Sequence, residues 1–234
     1  MEQIYTIPVN EAFEASIDGT HECPFCIMRH RLEENELDLL LGASMMEPDV
    51  RIKTNELGFC PDHFHKLYEG GKALPFGLIV ESHLNSVRER LKGAGILAGR
   101  KASADVKSLT ELQNSCYICG RMDHHFTRMI ATVPFLWSTD ENFRRKLVMT
   151  DHFCYPHFAA LTADAKERMD KKEFSSFYKQ ICTMMEEHSE KISDKVSLFC
   201  RQFDYRYAEE RVGEDIKSAP QEAMKLLLGD YAGS

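Results

Sequence analysis

Cys23-Pro24-Phe25-Cys26 begins a pattern that occurs twice in this chain. It is followed by Cys60-Pro61-Asp62-His63, and Cys116-Tyr117-Ile118-Cys119 is followed in turn by Cys154-Tyr155-Pro156-His157. Each half of the sequence therefore contains a C-x2-C motif, a long gap and a C-x2-H motif. The positions of the first set map onto those of the second with offsets of 93, 93, 94 and 94. This regularity indicates a duplicated unit.

Thiolate and imidazole are the ligands that zinc prefers, and zinc takes four of them in a tetrahedron. The order of the motifs predicts one Cys3His zinc site in each half, so that two zinc ions are expected per chain. The expected ligand sets are Cys23, Cys26, Cys60 and His63 in the first half, and Cys116, Cys119, Cys154 and His157 in the second. Motifs at helix starts would favour the thiolate form. Four protein ligands leave no open position, which is typical of a structural site.

Other chemistry remains open for the same residues. A Cys3His set can hold an iron–sulfur cluster, and Cys23-Pro24-Phe25-Cys26 resembles a redox dithiol. A zinc hydrolase would need one ligand replaced by water, so that the metal keeps an open position. Buried cysteines and core histidines without a metal are a further alternative, but they leave the matched order and spacing of the two sets unexplained.

The bulk composition restricts the class of protein. The formal net charge is −8, from 29 basic and 37 acidic residues, which argues against a nucleic-acid binder and against a polybasic membrane-surface protein. The first residues carry no signal-peptide pattern, and no apolar run reaches the ~18 residues of a membrane span. We therefore expect a cytoplasmic protein, whose thiols stay reduced, and a protein partner rather than nucleic acid or a membrane.

The periodicity of apolar residues predicts an all-α fold of two tandem, pseudo-repeated helical units, each with a Cys3His zinc knuckle. The expected boundaries are a first unit over 1–92, a linker over 93–110 and a second unit over 111–234. Residues 1–22 are expected to be an extended arm. The stretch 165–203 predicts a long C-terminal helix with a possible break, on which His188 is interpreted as a core histidine.

No known catalytic motif occurs in the sequence, so no catalytic residue is assigned. Aromatic and arginine side chains alternate over residues 204–217, which we interpret as a tail that packs on the second unit, with a binding surface as the alternative. The favoured function is a non-enzymatic scaffold or interaction protein in which the zinc ions are structural. The oligomeric state is not indicated by any feature of the sequence.

Three further stretches accompany the two metal signatures: the N-terminal segment IYTIPVNEAF over residues 4–13, the segment MMEPDVR over 45–51, and the segment FDYR over 203–206. In combination they resemble an uncharacterised family of bacterial proteins with two C-x2-C and C-x2-H signatures. The resemblance covers nearly the whole chain. It implies that the chain is one protein of that family, and it implies no particular activity.

Overall fold

The computed structural model describes residues 3–92, 98–204, 206 and 213–230. Within these residues the chain forms helices and no strand, which confirms the predicted all-α fold. The α-helices, numbered in chain order, are α1 Thr6–Ala15, α2 Pro24–Leu40, α3 Pro48–Leu57, α4 Pro61–Glu69, α5 Ala73–Leu91, α6 Ala98–Gln113, α7 Tyr117–Thr139, α8 Glu141–Met149, α9 Tyr155–Arg168, α10 Lys171–Arg201, α11 Glu214–Lys217 and α12 Ala219–Leu228. In the part of the chain that is described, none of these helices has the length and apolarity needed to cross a membrane.

The N-terminal segment is helical, so the predicted extended arm over 1–22 is wrong. A 3-10 turn over Gln3–Tyr5 leads into α1, and a π-helical turn over Ser16–Thr20 follows it. Pro8 lies in the first turn of α1, where a missing N–H costs nothing. Alternating apolar residues at the start of the segment suggested an extended backbone, but Val9, Ala12 and Phe13 become buried, and their positions follow helical spacing.

The predicted long C-terminal helix is present, and it is interrupted once. Helix α9 ends at Arg168, and α10 begins at Lys171 and continues for 31 residues, or about 46 Å. Asp170 caps the new helix, because its side chain accepts hydrogen bonds from the backbone N–H groups of Lys172 and Glu173. Of the aromatic and arginine-containing segment over 204–217 that was interpreted as a packing tail, residues 205 and 207–212 lie outside the described residues.

The chain divides into two compact units that differ from the expected tandem halves. The first consists of residues 1–30 together with 126–234, and the second consists of residues 31–125. Both boundaries fall within helices, α2 and α7. The linker expected over 93–110 is helical from Ala98 onward, as part of α6, and residues 93–97 lie outside the described residues. A tandem repeat of two units is therefore not confirmed.

An aromatic cluster forms the core of the first unit. Phe13 of α1 lies at the centre, with its ring centroid 4.9 Å from that of Phe143, 6.0 Å from that of Phe25 and 6.1 Å from that of Phe153. All four side chains are completely buried. The rings meet edge to face, the arrangement that aromatic quadrupoles favour. Phe25 lies within the first C-x2-C motif and Phe153 immediately precedes Cys154, so this cluster supports both metal-ligand motifs of the unit.

The second unit packs α3 against α5 and α4 against α5. Leu67 of α4 and Ile79 of α5 are fully buried. Side-chain hydrogen bonds join the same elements, since Asn55 donates to the Ser82 hydroxyl at 2.8 Å and Arg90 donates to the carbonyl of Asn55 at 2.9 Å. The result is a small helical core beside the start of α4, where Cys60 is the N-cap residue and His63 lies in the first turn.

Substitution of a residue in the aromatic cluster should destabilise the protein, whereas substitution of an exposed residue on the same helix should not. Phe13→Ala removes a completely buried ring and should lower the free energy of unfolding by about 3–5 kcal/mol. Ile7→Ala is the matched control, because Ile7 lies on α1 with 68% of its surface exposed, and it should change stability by less than about 0.5 kcal/mol. Urea denaturation followed by circular dichroism measures both. Equal midpoints would contradict the docking of α1.

Candidate metal centres

Each of the four motifs lies at the start of a helix, as the sequence predicts. Cys60 and Cys154 are N-cap residues with extended backbones, at φ −68° and ψ 162° and at φ −69° and ψ 153°. Prolines occupy the first turns of the helices that follow, where they are tolerated. Cys23 and Cys116 directly precede α2 and α7. Helix starts carry a partial positive charge that stabilises thiolates, so the local fold prepares the sulfur atoms as ligands.

In the first unit, four ligand atoms converge from Cys23, Cys26, Cys154 and His157, all within 4.8 Å of one another. Nδ1 of His157 lies 3.0 Å from Sγ of Cys154 and 3.5 Å from Sγ of Cys26. The sulfurs of Cys26 and Cys154 are 3.8 Å apart. The three cysteines are at most 4% exposed and His157 is 5% exposed. This cluster is nearly sealed from solvent at its ligand atoms.

The second unit forms the corresponding cluster from Cys60, His63, Cys116 and Cys119, whose ligand atoms also lie within 4.8 Å of one another. Nδ1 of His63 lies 3.1 Å from Sγ of Cys60, 3.4 Å from that of Cys116 and 3.3 Å from that of Cys119. The sulfurs of Cys60 and Cys119 are 3.9 Å apart. The three cysteines are partly exposed, and the imidazole is buried.

These distances fit one tetrahedral ion in each cluster. Ligand bonds of zinc length place two sulfurs of a tetrahedron about 3.8 Å apart, and a sulfur and a nitrogen about 3.5 Å apart. The sulfur–sulfur distances of 3.8 and 3.9 Å match, and the sulfur–nitrogen distances range from 3.0 to 3.7 Å. Both histidines present Nδ1 to the cluster. Each cluster can therefore hold a metal ion.

All eight predicted residues lie in the two clusters, but the way in which the sequence analysis grouped them into two ligand sets is wrong. Each C-x2-C motif joins the C-x2-H motif of the opposite half of the sequence: the motif at 23–26 meets the one at 154–157, and the motif at 116–119 meets the one at 60–63. Sequence spacing carries no information on this choice, because both pairings combine the same residue types. Long-range contacts decide it.

In the second unit a backbone contact fixes the pairing. The carbonyl of Gly58 accepts a hydrogen bond from the N–H of Tyr117 at 2.9 Å, and the hydroxyl of Ser115 donates to the carbonyl of Leu57 at 2.7 Å. These bonds place Leu57 and Gly58, the third and second residues before Cys60, beside the residues that flank Cys116. Gly58 has φ +60°, and a Cβ atom there would lie 3.0 Å from Leu112 and 3.1 Å from His83. Glycine is required by both the backbone conformation and the close packing.

In the first unit, side chains fix the pairing. The ring of Phe25, inside the C-x2-C motif, lies 5.1 Å from that of Phe153, next to Cys154. Nδ1 of His21 lies 2.7 Å from the carboxylate of Asp151. His21 itself has φ +50°, and this left-handed conformation turns the chain sharply toward the C-x2-C motif at 23–26. An aromatic contact on one side and a polar contact on the other therefore hold the two motifs together.

Groups outside the ligand sets orient the ligands. Nε2 of His63 lies 3.0 Å from Oε1 of Glu33, and Lys66 contacts the same carboxylate at 2.7 Å. A carboxylate that accepts the second N–H of a ligating imidazole fixes its tautomer and raises its basicity as a ligand. Burial lowers the pKa of His63, which keeps the ring neutral, as a metal ligand requires. Glu33 has no local sequence signal, because it lies 30 positions before His63.

In the first unit, a backbone N–H group rather than a carboxylate contacts a ligand residue. The N–H of Asp230, just beyond α12, donates to Sγ of Cys26 at 3.3 Å, and the carbonyl of Asp230 accepts a hydrogen bond from Nε2 of His30 at 2.8 Å. Lys225 contacts its carboxylate at 2.7 Å. The end of the C-terminal helix is thereby attached to a ligand sulfur 204 positions earlier in the chain, a contact that no pattern in the sequence indicates.

The electrostatics of the clusters also favour a cation. Burial raises the pKa of Cys23 well above its usual value, and burial raises the pKa of Cys116 and of Cys119. Hydrogen bonds from Cys23 and Cys26 instead lower the pKa of Cys154 to about 4. Without a metal ion, the first cluster can hold one thiolate, on Cys154, which accepts hydrogen bonds from the thiols of Cys23 and Cys26. Three thiolates at this spacing would repel one another. A dication is the group that allows all three sulfurs of a cluster to ionise.

A tetrahedral four-ligand cluster in each of two helical units defines the chain as a candidate metal-binding protein. The chain belongs to a family of unknown function (DUF6062), whose model matches residues 1–234. No curated protein and no solved structure matches the chain.

The crossed pairing predicts the metal content of two double variants. Cys23→Ser with Cys154→Ser alters two ligands of the same cluster, so about one metal ion per chain should remain. Cys23→Ser with Cys60→Ser alters one ligand in each cluster, so the metal content should fall toward zero. Mass spectrometry of the purified proteins measures both. Pairing within each half of the sequence requires the reverse result, in which the first variant loses both ions.

The Glu33 contact predicts a selective loss of affinity. Glu33→Gln should weaken metal binding in the second unit by roughly 10- to 100-fold, because the imidazole of His63 loses its charged acceptor. Glu34→Gln is the control, since Glu34 is the next residue on α2 and is exposed. Competition with a colorimetric chelator measures the affinity of the weaker site. An equal affinity in the two variants would show that Glu33 does not support the ligand.

Proposed function

We propose that both clusters are structural zinc sites, so that the protein carries two zinc ions per chain. The observation that supports this proposal is the complete set of four converging ligands in each cluster, at separations that fit tetrahedral zinc. Three thiolates and one imidazole suit zinc, whereas calcium and magnesium prefer oxygen ligands.

The ligand pairing gives the zinc ions a structural task. In the first unit, Cys26 and Cys154 are 128 positions apart, and in the second unit Cys60 and Cys119 are 59 positions apart. An ion bound to both members of such a pair closes a long loop of chain and fixes the relative position of two helix starts. Four protein ligands complete the tetrahedron, so neither cluster offers a position for substrate.

Closed sites agree best with a non-catalytic role. We infer a cytoplasmic interaction module, whose partner is another protein and neither nucleic acid nor a membrane. The formal net charge of −8 supports the exclusion of nucleic acid.

Elemental analysis tests the zinc proposal directly. Protein purified without added metal should contain about two zinc ions per chain and should be colourless, because zinc has a filled d shell. A chelator that removes the zinc should lower the melting temperature, since the metal-bound helix starts lose their connection. Brown protein with iron and sulfide would show iron–sulfur clusters instead, and a chain without any bound metal would overturn the proposal.

A second candidate function, a redox sensor, is favoured by the exposure of the second cluster. Its three cysteines are partly exposed, whereas those of the first unit are buried. Hydrogen peroxide can take two electrons from the thiolates of Cys60 and Cys119, whose sulfurs lie 3.9 Å apart. One disulfide forms, the peroxide is reduced to two water molecules after uptake of two protons, and the zinc ion is released.

Two single variants isolate the clusters for this comparison. Cys154→Ser disables the first cluster and leaves the exposed one, and Cys60→Ser does the opposite. Hydrogen peroxide should release the zinc that remains in Cys154→Ser at least about tenfold faster than the zinc that remains in Cys60→Ser, because thiolate oxidation follows accessibility. A zinc-binding dye records the rates. Equal rates, or faster release from Cys60→Ser, would exclude the second cluster as the sensor.

A further inference from the structure

An aromatic cavity of about 760 Å³ lies in the second unit, lined by residues of α4, of the start of α5 and of the end of α6. Phe59 and Pro61 in its wall flank Cys60, so the cavity adjoins the second metal cluster but contains none of its four ligands. The polar side chains His65 and Gln113 also line it. The volume is in the range of small-molecule sites, which are mostly apolar and carry a few polar groups.

Four aromatic rings form a continuous series along the wall of the cavity. The centroid of Phe64 lies 5.5 Å from that of Phe59 and 6.0 Å from that of Phe76, and the centroid of Tyr68 lies 5.6 Å from that of Phe76. The ring planes meet at 88°, 87° and 62°, so the rings are not stacked on one another. Tyr68 is 68% exposed and the three phenylalanines are half-buried. Aromatic surface is therefore accessible from the cavity, and the faces of such rings are the negative part of their quadrupole.

The basic groups around this cavity are already engaged. Among the described residues, none that lines the cavity is a lysine or an arginine. The lysines on α4, just before α5 and in the second half of α6 are each paired with a carboxylate: Lys66 with Glu33 at 2.7 Å, Lys72 with Asp38 at 3.7 Å, and Lys107 with Glu111 at 3.8 Å. An anionic ligand would therefore meet no lysine or arginine in the wall.

Two carboxylates next to the cavity have no such partner. Asp62 and Glu69 are exposed on α4, and each is adjacent in sequence to a lining residue, Pro61 or Tyr68. Neither carboxylate forms an ion pair with another residue in the described part of the chain. The charge beside the aromatic rings is therefore negative, which complements a cation.

We propose that this cavity binds a small soluble molecule through a quaternary, methylated ammonium group held against the rings of Phe64, Tyr68 and Phe76. The aromatic quadrupole attracts a cation that lies within about 6 Å of a ring centroid. Neighbouring centroids 5.6 and 6.0 Å apart allow one ammonium group to contact more than one ring. Methyl groups suit these apolar walls, whereas an ammonium with N–H groups would lose hydrogen bonds to water that the few polar groups of the lining do not replace. This proposal goes beyond the structural role of zinc and does not depend on which metal is bound.

Choline and its uncharged analogue test the preference for a cation. The full chain, purified with its bound metal, is titrated at about pH 8, where imidazoles are uncharged. One titration uses choline, and the other uses dimethylbutanol, in which a carbon atom replaces the charged nitrogen. Choline should shift the ring NMR signals of Tyr68 and Phe76, saturate at millimolar concentrations and bind at least about tenfold more tightly than the alcohol. Equal or tighter binding of dimethylbutanol would assign the cavity to neutral apolar molecules. That result, or no saturable shift with choline up to tens of millimolar, would overturn the proposal.

Two variants and a control locate the bound cation. Tyr68→Leu and Phe76→Leu each replace one aromatic ring by an aliphatic side chain, and each should weaken choline binding about three- to fivefold. In each variant the ring that remains reports binding. Tyr178→Leu makes the same change at an exposed tyrosine of α10 in the first unit, and it should bind choline as the unaltered chain does. Equal affinity for Tyr68→Leu and Tyr178→Leu would also overturn the proposal, and unchanged far-UV circular dichroism would confirm that the variants remain folded.

Discussion

The structure depends on bringing three sulfur atoms and one imidazole nitrogen to within 4.8 Å of one another at two places. Thiolates at this spacing repel, and burial together with the neighbouring cysteines raises the pKa of Cys23 and of Cys119 above the usual value for a thiol. The partial positive charge at helix starts lowers the free-energy cost of ionising these thiols. The dication proposed for each cluster would remove the remaining repulsion and would connect chain segments that are far apart in sequence.

Each unit reaches this arrangement by different contacts. In the first unit the edge-to-face cluster around Phe13 holds the two motifs against a common core, and the N–H of Asp230 contacts Cys26 from the end of α12. In the second unit the backbone bond between Gly58 and Tyr117 sets the register. The two clusters also differ in exposure, which is the physical basis for expecting different reactivity from the same four ligand types.

Part of the fold and of the candidate sites follows from local sequence. Pro61 and Pro156 in first turns, with a cysteine at each N-cap, indicated helix starts that the structure contains. The N-terminal segment was misassigned because a short alternation of apolar residues resembles a strand, whereas burial of Phe13 in the aromatic core selects the helix. The break at Asp170 was expected only in general terms, and the cap shows where it lies.

The sequence by itself determined the eight candidate ligands and the helical class, because residue type, spacing and helix-start chemistry are local properties. Only the tertiary structure decided which motifs share a cluster, since a C-x2-C motif is chemically compatible with either C-x2-H motif. The same is true of Glu33, which contacts His63 across 30 positions, and of Asp230, whose N–H contacts Cys26 across 204 positions. Contacts between distant segments depend on packing, and packing is not encoded in any single stretch of the chain.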